Sequence, residues 1–134
     1  MITFKELKRN LKKAVSDLSP VKVSLLGDSA TQFLAISIKG MGVERGYNIH
    51  LFEAEYNQVE RQLLDPTSDF YQYEAKYTIV FQSTHKLLEK YAMMSADEQD
   101  HMADNRLDFI RTICAQVLGH IIYYNYPEIE DTVF

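Results

Sequence analysis

Apolar positions along the chain switch between helical and strand spacing, and each switch marks an element. Thr3 followed three residues later by Glu6 forms a capping box. Phe4, Leu7, Leu11, Val15 and Leu18 then recur at helical spacing up to Pro20, which predicts an amphipathic entry helix. Its stripe should dock while Lys5, Lys8, Arg9, Lys12 and Lys13 face water. Residues 21–26 form a β-rich run that stops at Gly27, and helical spacing resumes from Ala30 to Met41. Gly46 suits a left-handed helix end, and residues 47–52 alternate as a second strand with His50 in a structural role. A helix over about 56–64 ends before Asp65-Pro66, since the residue before proline leaves helical geometry. Residues 67–74 read as a turn-rich connection, 77–81 as a third strand, and Ser83 as the cap of a short helix covering Leu87, Leu88 and Tyr91.

A second capping box, Ser95 with Glu98, opens a long helix closed by Gly119. Its inward stripe is expected at Ala103, Leu107, Ile110, Cys114 and Val117, with Phe109 and Ile113 beside it. Residues 120–126, rich in Ile and Tyr and stopped by Pro127, complete a fourth strand. Strands alternating with helices imply right-handed crossovers. The expected fold is α/β: a three-layer αβα arrangement of one domain, residues 1–134, around a four-stranded parallel sheet in the order 2-1-3-4. In that order the polar turn after the first strand sits at the switch point between crossovers leaving in opposite directions.

Composition narrows the classes. The net charge of −5 argues against general nucleic-acid binding, which demands clustered Lys and Arg over a broad face. Residues 1–22 carry six basic and two acidic groups, and a solvated helix face accounts for them. Neither a secretory apolar core nor a membrane span is visible in the pattern. The one cysteine, Cys114, has no internal partner and fits a buried apolar position in a reducing compartment, so a cytoplasmic location is expected.

Ligands of open parallel sheets sit beyond the carboxyl ends of the strands. Here those ends carry Gly27, Asp28, Ser29 and Thr31 after the first strand, Gln82, Ser83 and His85 after the third, and Asn125 after the fourth. Ser29, expected at a helix N-terminus, could meet an anion or support an oxyanion, and the plain alternative is that Asp28 or Ser29 only caps that helix. The ligand-binding set is therefore Gly27, Asp28, Thr31, Gln82, Ser83 and Asn125. Ser29 is the candidate nucleophile and His85 the only histidine placed to serve it. Too little glycine stands at 27–31 for a nucleotide phosphate loop, and Gln82 stands where a phosphate-accepting receiver domain needs Asp. Asp97, Asp100, Asp104 and Asp108 around His101 read as a solvated acidic helix face, and no metal site is expected.

Leu25-Leu26-Gly27-Asp28-Ser29 resembles the first block of SGNH (GDSL-like) hydrolases, in which the serine is the nucleophile. Residues 25–34 (LLGDSATQFL), 52–58 (FEAEYNQ) and 63–71 (LLDPTSDFY) together resemble the N-terminal domain of FkbH-like proteins, HAD-superfamily phosphatases of subfamily IIIC. The resemblance implies an SGNH-hydrolase/flavodoxin-like fold and a Mg²⁺-dependent HAD domain beyond Phe134 as partner, with a phosphoglyceryl-derived unit passed to an acyl carrier protein in some members. No cofactor is expected in this chain itself. No strand here ends in the Asp-x-Asp pair of HAD catalysis, and the SGNH Asp-x-x-His block is absent. The expected function is an accessory domain binding substrate, carrier or the next domain. The alternatives are a degenerate SGNH-type esterase or acyltransferase using Ser29 and His85, and a flavodoxin-like small-ligand binder.

Overall fold

A computed structural model describes residues 1–127. The elements run α1 (Phe4–Asn10), β1 (Ser19–Gly27), α2 (Gln32–Glu44), β2 (Tyr47–Glu53), α3 (Val59–Leu64), α4 (Asp69–Tyr73), β3 (Tyr77–Phe81), α5 (Thr84–Met93), α6 (Ala96–Gln116) and β4 (His120–Tyr123). All strand pairs are parallel and the order is β2-β1-β3-β4, as the switch-point argument requires.

β1 lies between β2 and β3 and is the most buried strand, with every residue from Val23 to Gly27 buried. Its even positions share a face with β3, so Leu26 and Val80 meet Val59, Leu63, Phe70, Ile113 and Val117 from α3, α4 and the end of α6 in the main core. The opposite face meets α2, with α1 against it. Gly40 makes that helix pair possible, since a Cβ there would stand 2.9 Å from Leu7 Cα. Pro20 is tolerated because β1 at that level has β2 alone beside it; pairing with β3 begins at Val23.

Several expected boundaries are corrected. The entry helix ends at Asn10 rather than near Leu18. Asn10 is buried and its amide donates to Gly40 O and Glu44 Oε2, both at 3.1 Å. That anchor ends the helix, and the chain then turns so that Ser19 can open β1 against Tyr47. Leu7 is thus the docked residue, while Leu11 is exposed and Val15 half-buried; the five basic side chains do face water. The expected turn region 67–74 contains α4, α3 starts at Val59, and β4 stops at Tyr123. His50 lies exposed on the edge strand beside Asn48.

The inward stripe of α6 is rotated by one position. Phe109, Ile113 and Val117 face inward as expected, joined by Met102 and Arg106, whereas Ala103, Leu107 and Cys114 are exposed and Ile110 is half-buried. Both Ser95 and Ser83 cap as expected: Ser95 Oγ accepts from Glu98 N, and Ser95 N in turn donates to Glu98 Oε2 at 2.8 Å. These contacts hold the Glu98 carboxyl below its usual range, the backbone bond most of all. Ser95→Ala should cost about 1 kcal/mol, read as a lowered midpoint in urea.

Candidate functional site

The turn after β1 does not begin a helix at Ser29. α2 starts at Gln32, its N-cap Thr31 makes no side-chain capping bond, and Ser29 lies in a bend two residues before that cap. The expected oxyanion position at a helix terminus is therefore not formed by Ser29. Asp28 instead braces the cap of a distant helix: both carboxylate oxygens accept from the N–H of Ser83, the N-cap of α5, at 3.0 and 2.9 Å. Lys86, one turn into α5, donates from Nζ to the Asp28 carbonyl. Asp28 thus joins the β1 and β3 ends.

Beside this joint is a groove of about 320 Å³, lined by Asp28, Tyr56, Asn57, Val59, Glu60, Gln82, Lys86 and Lys90. A smaller recess adjoining it adds Ser83, Arg106 and Tyr126. Gln82, the residue after β3, forms the floor. Its Oε1 accepts from Tyr123 Oη at 2.7 Å, from Arg106 Nη1 at 3.2 Å and from Tyr126 Oη at 3.3 Å. The guanidinium fixes the amide's orientation, because the flipped amide would set two donors face to face. Nε2 is left as a donor with no partner among the described residues.

Arg106 comes from the inward face of α6. Its side chain is 19% exposed, Nη2 lies 3.2 Å from Glu60 Oε1, and the plane rests over Phe109 at 5.1 Å. Nε is buried without a partner among the described residues. Burial works against its charge, but Tyr126, Glu60 and Tyr123 outweigh that and push its pKa further up. Lys90 Nζ lies 3.8 Å from the same Glu60 oxygen, and Lys86 Nζ sits over the Tyr56 ring at 5.0 Å. Three cations, Lys86, Lys90 and Arg106, thus face two carboxylates, Glu60 and the Ser83-bound Asp28. Burial above all, then the bond to Tyr126, holds the Tyr123 phenol well above its ordinary range, so it remains a donor. The groove has a surplus of donors, the chemistry that suits an anionic ligand.

Of the residues expected to form the site, Asp28, Gln82 and Ser83 converge here. Gly27 packs behind, where a Cβ would stand 2.6 Å from Thr31 Cγ2. Thr31 donates to Glu53 at 3.3 Å, and Asn125 Oδ1 accepts from Tyr126 N; neither lines the groove. His85 is exposed on the first turn of α5, and among the described residues no hydrogen bond joins it to Ser29 or to a carboxylate. Sequence reasoning missed Arg106, Lys86, Lys90 and Glu60. Their signal was the spacing of Lys86 and Lys90 on one face of α5, directly after the third strand. A second hollow of about 380 Å³ lies at the opposite edge, among Phe70, Tyr71, Thr78, Val117 and Leu118, but gathers no convergent donors.

His101 is exposed against its own helix, 2.7 Å from Asp97 O, and among the described residues no group of three metal-ligating side chains is assembled. No helix among them is long and apolar enough to cross a membrane.

A family model described as FkbH, N-terminal domain, matches residues 22–134. The chain is also similar to a crystal structure of the N-terminal part of the protein BF1531 from Bacteroides fragilis, described as containing a phosphatase domain and complexed with Mg. The TM-score is 0.94 at 61% sequence identity, and the match covers 100% of this chain and 36% of that one. No curated protein matches the sequence.

Proposed function

Since the chain belongs to the FkbH N-terminal domain family, we propose that it is the accessory domain of a longer FkbH-like protein, in which a phosphatase domain follows it. Its role is to hold an anionic group of the substrate, a phosphate or carboxylate, in the groove between α3, α5 and α6. The observation that carries this reading is the donor surplus: Lys86, Lys90, Arg106 and a Gln82 Nε2 without a partner among the described residues, against the carboxylates of Glu60 and Asp28. The crystallised relative spans far more chain than this match and is described with a phosphatase domain and Mg. Mg²⁺-dependent phosphoryl chemistry at an aspartate belongs, on this reading, to the further domain. An acyl carrier protein as partner rests on the family resemblance alone.

The 2-1-3-4 strand order is the one an SGNH-like or flavodoxin-like ancestor would leave. Ser29 is then a remnant of the ancestral nucleophile block rather than a working nucleophile, because activation of a serine needs a base in hydrogen-bond reach. A cytoplasmic setting suits the lone, exposed Cys114 thiol.

The test uses full-length protein. Ser29→Ala should leave turnover of a phosphorylated substrate unchanged, and Ser29 should take no label from a fluorophosphonate. A Ser29 adduct, together with hydrolysis of p-nitrophenyl acetate that Ser29→Ala abolishes, would establish the esterase alternative instead.

A further inference from the structure

The two faces of the sheet are covered unequally. Helices α3, α4 and α6 pack on one face; on the other, α2 lies over β2 with α1 against it, and Val23, Leu25 and Ala35 are buried. Register places Tyr77, Ile79 and Phe81 of β3 on that second face, with His120 and Ile122 of β4 and Tyr124 just beyond it. Their contacts agree. Tyr77 stacks on His120 at 5.4 Å, Phe81 meets Tyr124 edge-on at 5.8 Å, and a Cβ on Gly27 would touch both Thr31, ahead of α2, and Phe81. None of these six side chains is fully buried, and Ile122 and Tyr124 are 48% and 44% exposed. Among the described residues this half of the sheet face, aromatic and aliphatic, is only partly covered: Tyr77, Ile79 and Phe81 are half-buried, and His120, Ile122 and Tyr124 are exposed.

Parallel sheets carry helices on both faces. Another right-handed crossover beyond β4 would not close the gap, because it would lay its helix on the α3–α6 face. The partly covered half needs chain that returns across the sheet. We propose that it seats an apolar helical segment of the polypeptide that follows residue 134 in the longer protein. This rests on the reading that a further domain follows. Two observations support the choice of occupant. The crystallised relative has nearly two thirds of its chain outside the match, and β4 delivers the chain at the border of this face. The mix of aromatic, aliphatic and imidazole groups also suits contact with another part of a protein, aromatics being enriched in such interfaces.

The experiment places p-benzoylphenylalanine at Tyr124 of the full-length protein, where one large aromatic replaces another. After irradiation, digestion and mass spectrometry, the expected adduct lies within the same chain, on a residue beyond 134. A link to a second copy, or no adduct to protein, overturns the proposal. In parallel, Ile122→Arg should raise tryptic cleavage after residue 134 about tenfold by loosening the docked segment; unchanged cleavage would overturn the proposal as well. Intact mass separates the two readings. A chain that ends at Phe134 sinks the longer-protein reading itself, whereas a long chain without the adduct sinks only the docking.

Discussion

In full-length protein, Arg106→Met is expected to raise KM for a phosphorylated substrate about ten- to a hundredfold while leaving kcat nearly unchanged. The magnitude follows from losing one hydrogen bond between charged partners, about 1.5–3 kcal/mol. The split follows from location. The groove lies apart from the reacting phosphoryl group of the proposed downstream domain, so its contacts hold ground state and transition state alike, and losing such uniform binding raises KM alone. Methionine keeps the unbranched stem that packs against Phe109, and Lys90 still faces Glu60, so no buried carboxylate is stranded. Arg106→Lys should recover part of the loss, since charge returns without the planar fork. Raised salt should weaken the wild type more than Arg106→Met. A KM unchanged in Arg106→Met would remove the groove from the substrate path.

Gly119→Ala should lower stability by about 3 kcal/mol, a fall of roughly 10 °C in Tm for a domain of this size. Gly119 has φ of +89°, where a side chain costs about 1–2 kcal/mol. Its Cβ would also stand 2.6 Å from Lys76 O and 3.1 Å from Ala75 O, both backbone atoms on the approach to β3. The Lys76 carbonyl cannot give way cheaply, because it accepts from His120 N at 3.0 Å at the start of the β3–β4 pairing. Gly46 supplies the control. It has φ of +83°, and a Cβ added there would meet nothing within 4 Å, so Gly46→Ala should cost the backbone strain alone. Equal losses at the two positions, measured by chemical denaturation, would refute the steric account.

Elements with their own punctuation were legible in the sequence. Ser83 and Ser95 stand where their helices begin, Gly46 and Gly119 take the left-handed conformation expected of helix ends, and residues 77–81 bound β3 on both sides. Strand order followed from one rule of handedness. The site was legible only as a location. Asp28, Gln82 and Ser83 were found because strand ends are recognisable, but Arg106 was not. Two stripes, one residue apart, compete on α6: Ala103, Leu107, Cys114 and Met102, Arg106, Phe109, Ile113. Apolar spacing favoured the first because it contains no charge, whereas the buried one accepts a charge by pairing it with Glu60 and Gln82. That pairing joins three separate elements, and no local pattern encodes it. The early end of α1 has the same origin, since Asn10 is anchored by Gly40, thirty residues on.

The central place of β1 bears on how the chain is made. The strand leaves the ribosome before either of its neighbours, carrying the fully apolar pair Leu25-Leu26 that the native sheet hides completely. Pairing with β2 can follow early, but Leu25 must wait for Ile79 and Asp28 for Ser83, so closure spans more than fifty residues. Contacts of such long sequence separation form slowly, and an apolar strand open on one side invites pairing with another chain in the meantime. During synthesis, then, the hazardous interval runs from the appearance of β1 to the arrival of β3, and chaperone protection of the nascent chain matters most within it.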